Sequence, residues 1–226
     1  MQSFHQHNSK KMIDVVIPKL KANQIVSLIS DAGTPAVCDP GLDLIEMCIE
    51  NKIKVYSIPG PSAVIASLVS SGISTERFSF LGFVPRDKKS KKLFYERIAN
   101  SQETTIFFES PKRILRTLTD LHLFIFDRKV SLVKEITKKN EEIISSNIKN
   151  ILQLLEEKEK ILGEITVIVS ASDSKNFLKI SDEQILNYAK DLKKENIGIS
   201  TISKLVAEKY KVSKRRVYQL IIKDKK

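Results

Sequence analysis

The chain has 226 residues, 42% hydrophobic and 29% charged, enough to bury a real core in one large domain or two small ones. No apolar run approaches the roughly 20 residues of a membrane-spanning helix, and no charged-then-apolar leader opens the chain, so neither a membrane span nor a secretory signal is expected. The net charge is +11, and residues 174–226 supply +8 of it, with 14 Lys or Arg against 6 Asp or Glu. A basic balance concentrated in one segment points to nucleic acid or an anionic membrane surface as partner; a chain that is simply lysine-rich is the alternative.

In chain order, Ser3–Asn8 leads into a helix in which Met12, Val15, Val16 and Leu20 share one face, with Asn8 or Ser9 as its cap. His5 and His7 alternate on what reads as an extended segment. With His122 the only other histidine, a metal site there is not expected. Two apolar runs follow, Ile25–Ile29 and Ile53–Ile58, each ending in a loop of small residues. The first loop is Ser30-Asp31-Ala32-Gly33-Thr34-Pro35 with Asp39-Pro40-Gly41, and the second is Pro59-Gly60-Pro61-Ser62-Ala63. Between them Leu42, Ile45, Cys48 and Ile49 recur at helical spacing. The pattern predicts strand, loop, helix, strand, loop, helix, the repeating unit of a parallel sheet whose ligands sit at the carboxyl ends of its strands. Cys38 and Cys48, the only cysteines, match no metal spacing and are expected as buried or half-buried free thiols of a reducing cytoplasm.

Ala63–Val69 reads as an apolar helix of small residues stopped at Ser70-Ser71-Gly72, and a boundary between two α/β lobes falls near Ser74. Then come a strand at 78–85, a basic loop over Arg86–Lys92, a helix at Leu93–Ile98, a strand at Thr104–Phe108 and a helix through Ile114, Leu115 and Leu118. Val130–Ile136 and Glu142–Ile148 read as strands and Ile151–Leu155 as a helix. Ile165–Val169, an unbroken apolar run after Gly163-Glu164, reads as a central strand buried on both faces. A polar linker, Ser172–Leu178, precedes three helices: one capped at Ser181 and ended by Asn196-Ile197-Gly198, a second over Ile202–Tyr210 capped by Ser200 or Thr201, and a third over Lys214–Ile222. The last two, joined at Lys211–Ser213, look like a helix-turn-helix that presents Lys214, Arg215 and Arg216 to nucleic acid. A small helical cap with a solvated basic face is the alternative.

Val26–Pro35, Asp39-Pro40-Gly41 and Pro59–Ala63 together resemble the tetrapyrrole methylase superfamily and, within it, the ribosomal RNA small subunit methyltransferase I branch. His5–Asn8, Phe83-Val84-Pro85, Phe107–Arg113, Lys134–Lys138 and Gly163-Glu164 extend the likeness over nearly the whole chain. The resemblance implies two α/β lobes, 1–73 and 74–172, with a cofactor cleft between them, and a small all-α basic domain over 180–226. It implies a cytoplasmic, homodimeric enzyme that transfers a methyl group from S-adenosylmethionine to the 2′-hydroxyl of a cytidine in the decoding region of 16S rRNA. Its cofactor residues map to Ser30, Asp31, Ala32, Gly33, Ser62, Ala63, Phe108, Glu109 and Gly163, with no metal. A base near the hydroxyl is sought among Glu109, Lys134 and Glu135, an ion pair being the competing role for each. Arg86, Lys88, Arg113, Lys138 and Lys214–Arg216 are the expected RNA contacts. A tetrapyrrole methylase and an inactive RNA-binding remnant are the alternatives. Members of the branch open with a strand, a Pro-Ile-Gly-Asn-Leu loop and a helix that this sequence lacks. A late start, a fragment or a dispensable strand would each account for that, and apolar edges on the first lobe are expected to be left uncovered.

Overall fold

Period-two alternation along the middle of the chain builds a mixed five-stranded sheet in the computed structural model, which describes residues 1–172, 182–193, 198–210 and 214–224. The strands are β1 (Phe78–Phe83), β2 (Thr104–Glu109), β3 (Lys129–Lys134), β4 (Glu142–Asn147) and β5 (Ile165–Val169), in the order β1-β2-β5-β3-β4. Only the β1–β2 pairing is parallel; β5 runs antiparallel to both of its neighbours, Ile106 opposite Ile168 and Val133 opposite Thr166. All five residues of β5 are buried, as expected for a central strand.

The alternation sends successive side chains to opposite faces. Phe107, Val130, Leu132, Val167 and Val169 join one core under α4 (Lys88–Asn100), α5 (Ile114–Ile125) and α6 (Ile148–Glu156). Ile106, Val133 and Ile168 face the other way, onto Val64 and Leu68 of α3 (Ala63–Ser70). Each fully buried aliphatic or aromatic side chain of these clusters contributes roughly 1.5–3 kcal/mol. α1 (Ser9–Lys21) and α2 (Leu42–Glu50) form a smaller cluster of their own around Val16, Ile17, Leu44 and Cys48.

The two N-terminal apolar runs are the largest departure from the sequence reading. Neither Ile25–Ile29 nor Ile53–Ile58 is a strand. Ile25 is 95% exposed, Ile58 83% and Tyr56 76%. Two short strands alone are marginal in water, and no further strand flanks them among the described residues.

Smaller departures have local causes. The basic stretch read as a loop is helical from Lys88, because Asp87 Oδ1 accepts from Ser90 N at 2.8 Å and caps α4. β3 stops at Lys134 rather than Ile136, since Glu135 takes a positive φ of 51°. Asn8 stands at the N-cap position of α1, but its Oδ1 accepts from His5 N, closing a turn in place of an extended segment. Cys38 is exposed and only Cys48 is buried, both as free thiols.

Residues 1–172 and 173–226 are separate compact units. In the second, α7 (Asp182–Lys193), α8 (Ile199–Tyr210) and α9 (Lys214–Lys223) close a core of Ile185, Ala189, Ile202, Val206, Val217 and Ile221. α8 begins at Ile199, so Ser200 and Thr201 lie within it instead of capping it. Ser181, Asn196-Ile197, the Lys211–Ser213 joint and all but the first residue of the Ser172–Leu178 linker lie outside the described residues. Among the described residues no helix is long and apolar enough to cross a membrane.

Candidate active site

The strand directions gather distant loops at one end of the sheet. β1, β2 and β3 finish there, at Phe83, Glu109 and Lys134, while β4 and β5 start there, at Glu142 and Ile165. α3 brings the N-terminal loops to the same rim. Its C-terminal end is tied to the opposite end of the sheet, where Lys129 Nζ donates to Gly72 O at 3.0 Å and Ser145 Oγ to Ser71 O at 2.8 Å. The helix therefore points its N-terminus, capped by Ser62 Oγ on Ile65 N, toward Phe108 and Ile136. Thr34 Oγ1 donates to Pro61 O at 3.0 Å and joins the first small-residue loop to the second. The loop continues to Cys38, whose Sγ lies 3.4 Å from where a Cβ on Gly82 would stand, at the irregular end of β1.

The small loops leave room. Gly33 has φ +74° and nothing within 4 Å of a Cβ position, and Asp31 is exposed with no ion pair among the described residues. Ser30 Oγ is used locally, donating to Ala32 O at 3.0 Å and accepting from Ala32 N, which shapes the turn. Phe108 stands edge-on to Phe80 and Phe83 with ring centroids 4.8 and 5.4 Å apart, and Phe83 is exposed at the rim.

On the β3–β5 side, Glu135 N donates to Glu164 O at 2.9 Å and Glu164 N donates back to Glu135 Oε1 at 2.7 Å. That backbone bond, with Lys138 at 3.3 Å, holds the Glu135 carboxyl below the usual carboxylate range. Lys138 also reaches Glu164 at 3.1 Å. Lys134 pairs with Glu142 Oε2 at 3.1 Å, and Lys158 shares that carboxylate at 2.6 and 2.8 Å. Lys158 is the main cause of a lowered Glu142 pKa.

On the β2 side, Glu109 is buried. Its Oε1 accepts from Ser110 N at 2.7 Å, and its Oε2 accepts from Thr117 Oγ1 at 2.7 Å and meets Arg113 at 3.2 Å. Arg113 also donates to Val84 O and Pro85 O, at 2.8 and 3.1 Å, and so fastens the loop after β1 to the loop after β2. The Tyr95 hydroxyl is buried beside Thr117, and burial pushes its pKa up to about 12.

Each of the three acid–base candidates, Glu109, Lys134 and Glu135, is thus already engaged in a bond that shapes a loop. Arg113 and Lys138 are likewise paired, whereas Arg86 and Lys88 are exposed with no ion pair among the described residues. In the other unit Lys214 reaches Ser200 Oγ at 3.3 Å, Arg216 pairs with Asp182 at 2.8 Å, and Arg215 is exposed. Thr34, Thr117, Glu142 and Lys158 have structural roles here that the sequence reading passed over. Each acts through a partner 8 to 27 residues away, and no local pattern marks such a partner.

A family model described as Tetrapyrrole (Corrin/Porphyrin) Methylases matches residues 1–152. The chain belongs to that family. Among relatives of this methylase chain, the Ribosomal RNA small subunit methyltransferase I of Haemophilus influenzae is 38% identical over 220 residues, covering 96% of this chain and 77% of the relative. The protein of the same name from Synechocystis is 33% identical over 219 residues, covering 96% and 78%. Of solved structures, a cobalamin biosynthetic enzyme, cobalt precorrin-4 methyltransferase, aligns with TM-score 0.52 and 13% identity over 71% of this chain and 70% of its own. That similarity is one of fold. The methylase match ends at Leu152, so β5 with its Gly163-Glu164 turn and the basic helical unit lie beyond it.

Proposed function

We infer that this chain is a methyltransferase that takes its methyl group from S-adenosylmethionine and delivers it to small-subunit ribosomal RNA, at the 2′-hydroxyl of a cytidine in the decoding region. The observation that carries the reading is the convergence of small-residue loops and basic side chains on one rim of the sheet, in a chain 33–38% identical to small-subunit rRNA methyltransferases. The reading takes residues 1–73 and 74–172 as the two lobes of a cofactor cleft and 180–226 as an RNA-binding domain, in a cytoplasmic homodimer.

The residues fit the cofactor. S-adenosylmethionine supplies an electrophilic methyl group on a sulfonium. Gly33, with open space at its Cβ position, and the neighbouring Ala32 and Ala63 let main-chain groups reach its amino-acid and ribose parts. The exposed Asp31 carboxylate offsets positive charge, Ser30 and Ser62 add hydroxyls, and Phe108, Glu109 and Gly163 contribute the opposite wall.

Transfer to a ribose hydroxyl is an in-line displacement, so correct placement alone supplies much of the acceleration. Glu109 and Glu135, whose carboxylates are bound to loop backbone, act as positioning residues for the β2 and β3 loops. Lys134 and Lys138 stand at the same rim, each paired with carboxylates that hold it in place. Arg86, Lys88, Arg113 and the α9 cations Lys214, Arg215 and Arg216 hold RNA phosphates, which makes binding steeply salt-dependent.

Two measurements test this. Calorimetry with S-adenosylmethionine should give saturable heat; none at high micromolar cofactor rejects the enzyme reading. Mapping of ribose methylation in small-subunit RNA from a deletion strain should lose one mark, and unchanged methylation rejects the substrate. A corrin or porphyrin substrate is the second reading, favoured by the description of the family. Cofactor binding without any effect on rRNA would select it, and RNA binding without cofactor binding would select an inactive remnant.

A further inference from the structure

A second group of cations stands beside the rim, between the first turns of α4 and α5. Arg86, Lys91, Arg113, Arg116 and Thr117 line a cleft of about 220 Å³ that no carboxylate lines. Arg113 is held in place by Val84 O, Pro85 O and Glu109, with 31% of its side chain exposed. Among the described residues Lys91 has one loose partner, Asp120 at 3.8 Å. Arg86 and Arg116 are exposed, with no ion pair or hydrogen bond among the described residues. Glu109 is the buried counter-charge behind this cleft, but its oxygens are occupied by Thr117, Arg113 and Ser110 N. The four cations of the cleft thus outnumber the two carboxylates, Asp120 and Glu109, that stand against them.

We propose that this cleft is a phosphate subsite that grips one phosphodiester of the RNA next to the methylated nucleotide, with Arg86, Arg116 and Lys91 as its ligands. The proposal rests on the rRNA reading above. The volume lies below the roughly 300 Å³ at which drug-sized ligand pockets begin, so the cleft takes a phosphate-sized group and not a macrocycle. Planar guanidinium forks suit phosphate oxygens, and two of them with a lysine bring several donors to one anion. The loops that Arg113 ties together carry the carboxyl ends of β1 and β2, so an anion held here is fixed relative to the rim. Sequence reading singled out Arg86 and Arg113 for RNA. Lys91 falls within the Arg86–Lys92 stretch expected to meet phosphate, whereas Arg116 was not singled out and joins them only because α4 and α5 lie side by side on the sheet.

The test is the salt dependence of binding to a labelled fragment of small-subunit RNA. The intact chain is compared with the double variant Arg86→Ala/Arg116→Ala and with Arg97→Ala. Arg97 is exposed and lines a different cleft with Arg77 and Glu103 at the far end of the sheet, so it controls for loss of charge alone. The double variant should bind about tenfold more weakly at moderate salt, with the slope of log K against log salt smaller by roughly 0.7–0.9 than in wild type. Arg97→Ala should keep the wild-type slope. If the double variant matches Arg97→Ala while wild type binds RNA and transfers methyl, the subsite is overturned and the enzyme reading stands. If wild type itself binds no RNA, the reading beneath the proposal fails. A titration with inorganic phosphate, followed by NMR of the arginine side-chain N–H signals, provides a second arm. Saturable shifts at Arg86 and Arg116 support the subsite. Such shifts without any loss of RNA affinity in the double variant would assign the cleft to a free anion and overturn the RNA role.

Discussion

Glu135 lies over Gly163: a Cβ on that glycine would stand 2.6 Å from Glu135 Cδ and 2.7 Å from its Oε1. Both residues have positive φ, 51° and 91°, so the turn after β3 and the turn before β5 interlock through backbone shapes that few other residue pairs adopt. Gly163→Ala should therefore cost about 1–3 kcal/mol of stability in chemical denaturation, from backbone strain and overpacking together. Adding Glu135→Ala should recover part of that loss, because it removes the atoms the new methyl meets. Equal stability of the single and double variants would refute the interlock.

Arg113 neutralises the buried carboxylate of Glu109. Arg113→Ala should destabilise by about 2–3 kcal/mol, since it strands that charge. Glu109→Gln in the same background should restore some stability, as the amide needs no counter-charge. A urea series on the four proteins of this cycle checks it, and additivity of the two changes would exclude the coupling.

The hydrogen bond from Thr34 to Pro61 is the link between the two small-residue loops. Thr34→Val should leave the fold intact and weaken S-adenosylmethionine binding by about three- to tenfold, the worth of one ordinary hydrogen bond. Calorimetry reads this directly, and unchanged affinity would show that the loops keep their places without it.

Glu142 has a folded-state pKa below the ordinary value of 4.5, with Lys158 the first cause and Lys134 the second. A lowered carboxyl pKa stabilises the folded state fully above the unfolded value, and the contribution is lost as pH falls through the folded one. Stability should thus decline as the pH drops below about 4.5, and Glu142→Gln should flatten that part of the profile while lowering stability at neutral pH. The urea midpoint between pH 3 and 7 is the measurement.

Ile25, Tyr56 and Ile58 leave large apolar side chains in water. Runs of exposed apolar side chains favour association, so the protein should scatter light increasingly with concentration. Replacing the three with Ser, Ser and Thr should reduce the effect without lowering the thermal midpoint.

Much of the sheet was legible in the sequence because its strands are short, apolar and bounded by turn residues, and β5 is apolar throughout. Helices α2, α3 and α5 were legible from their spacing. The basic run at Lys88–Lys92 misled because charge density resembles a loop, whereas one capping carboxylate, Asp87, starts the helix. The runs at Ile25–Ile29 and Ile53–Ile58 misled because hydrophobicity and length describe a strand's side chains and say nothing of its hydrogen-bonding partners.

The sequence by itself determined the core-forming residues, the small-residue loops, the basic C-terminal segment and the family, since each is written in contiguous residues. Only the tertiary structure decided that Glu135 is locked over Gly163 and that Arg116 shares a cleft with Arg86. The reason is physical: these relations depend on strand order and direction, which bring residues 28 or 30 positions apart within a few ångströms. Strand order is set by how whole faces bury against helices, and no short stretch of sequence records it.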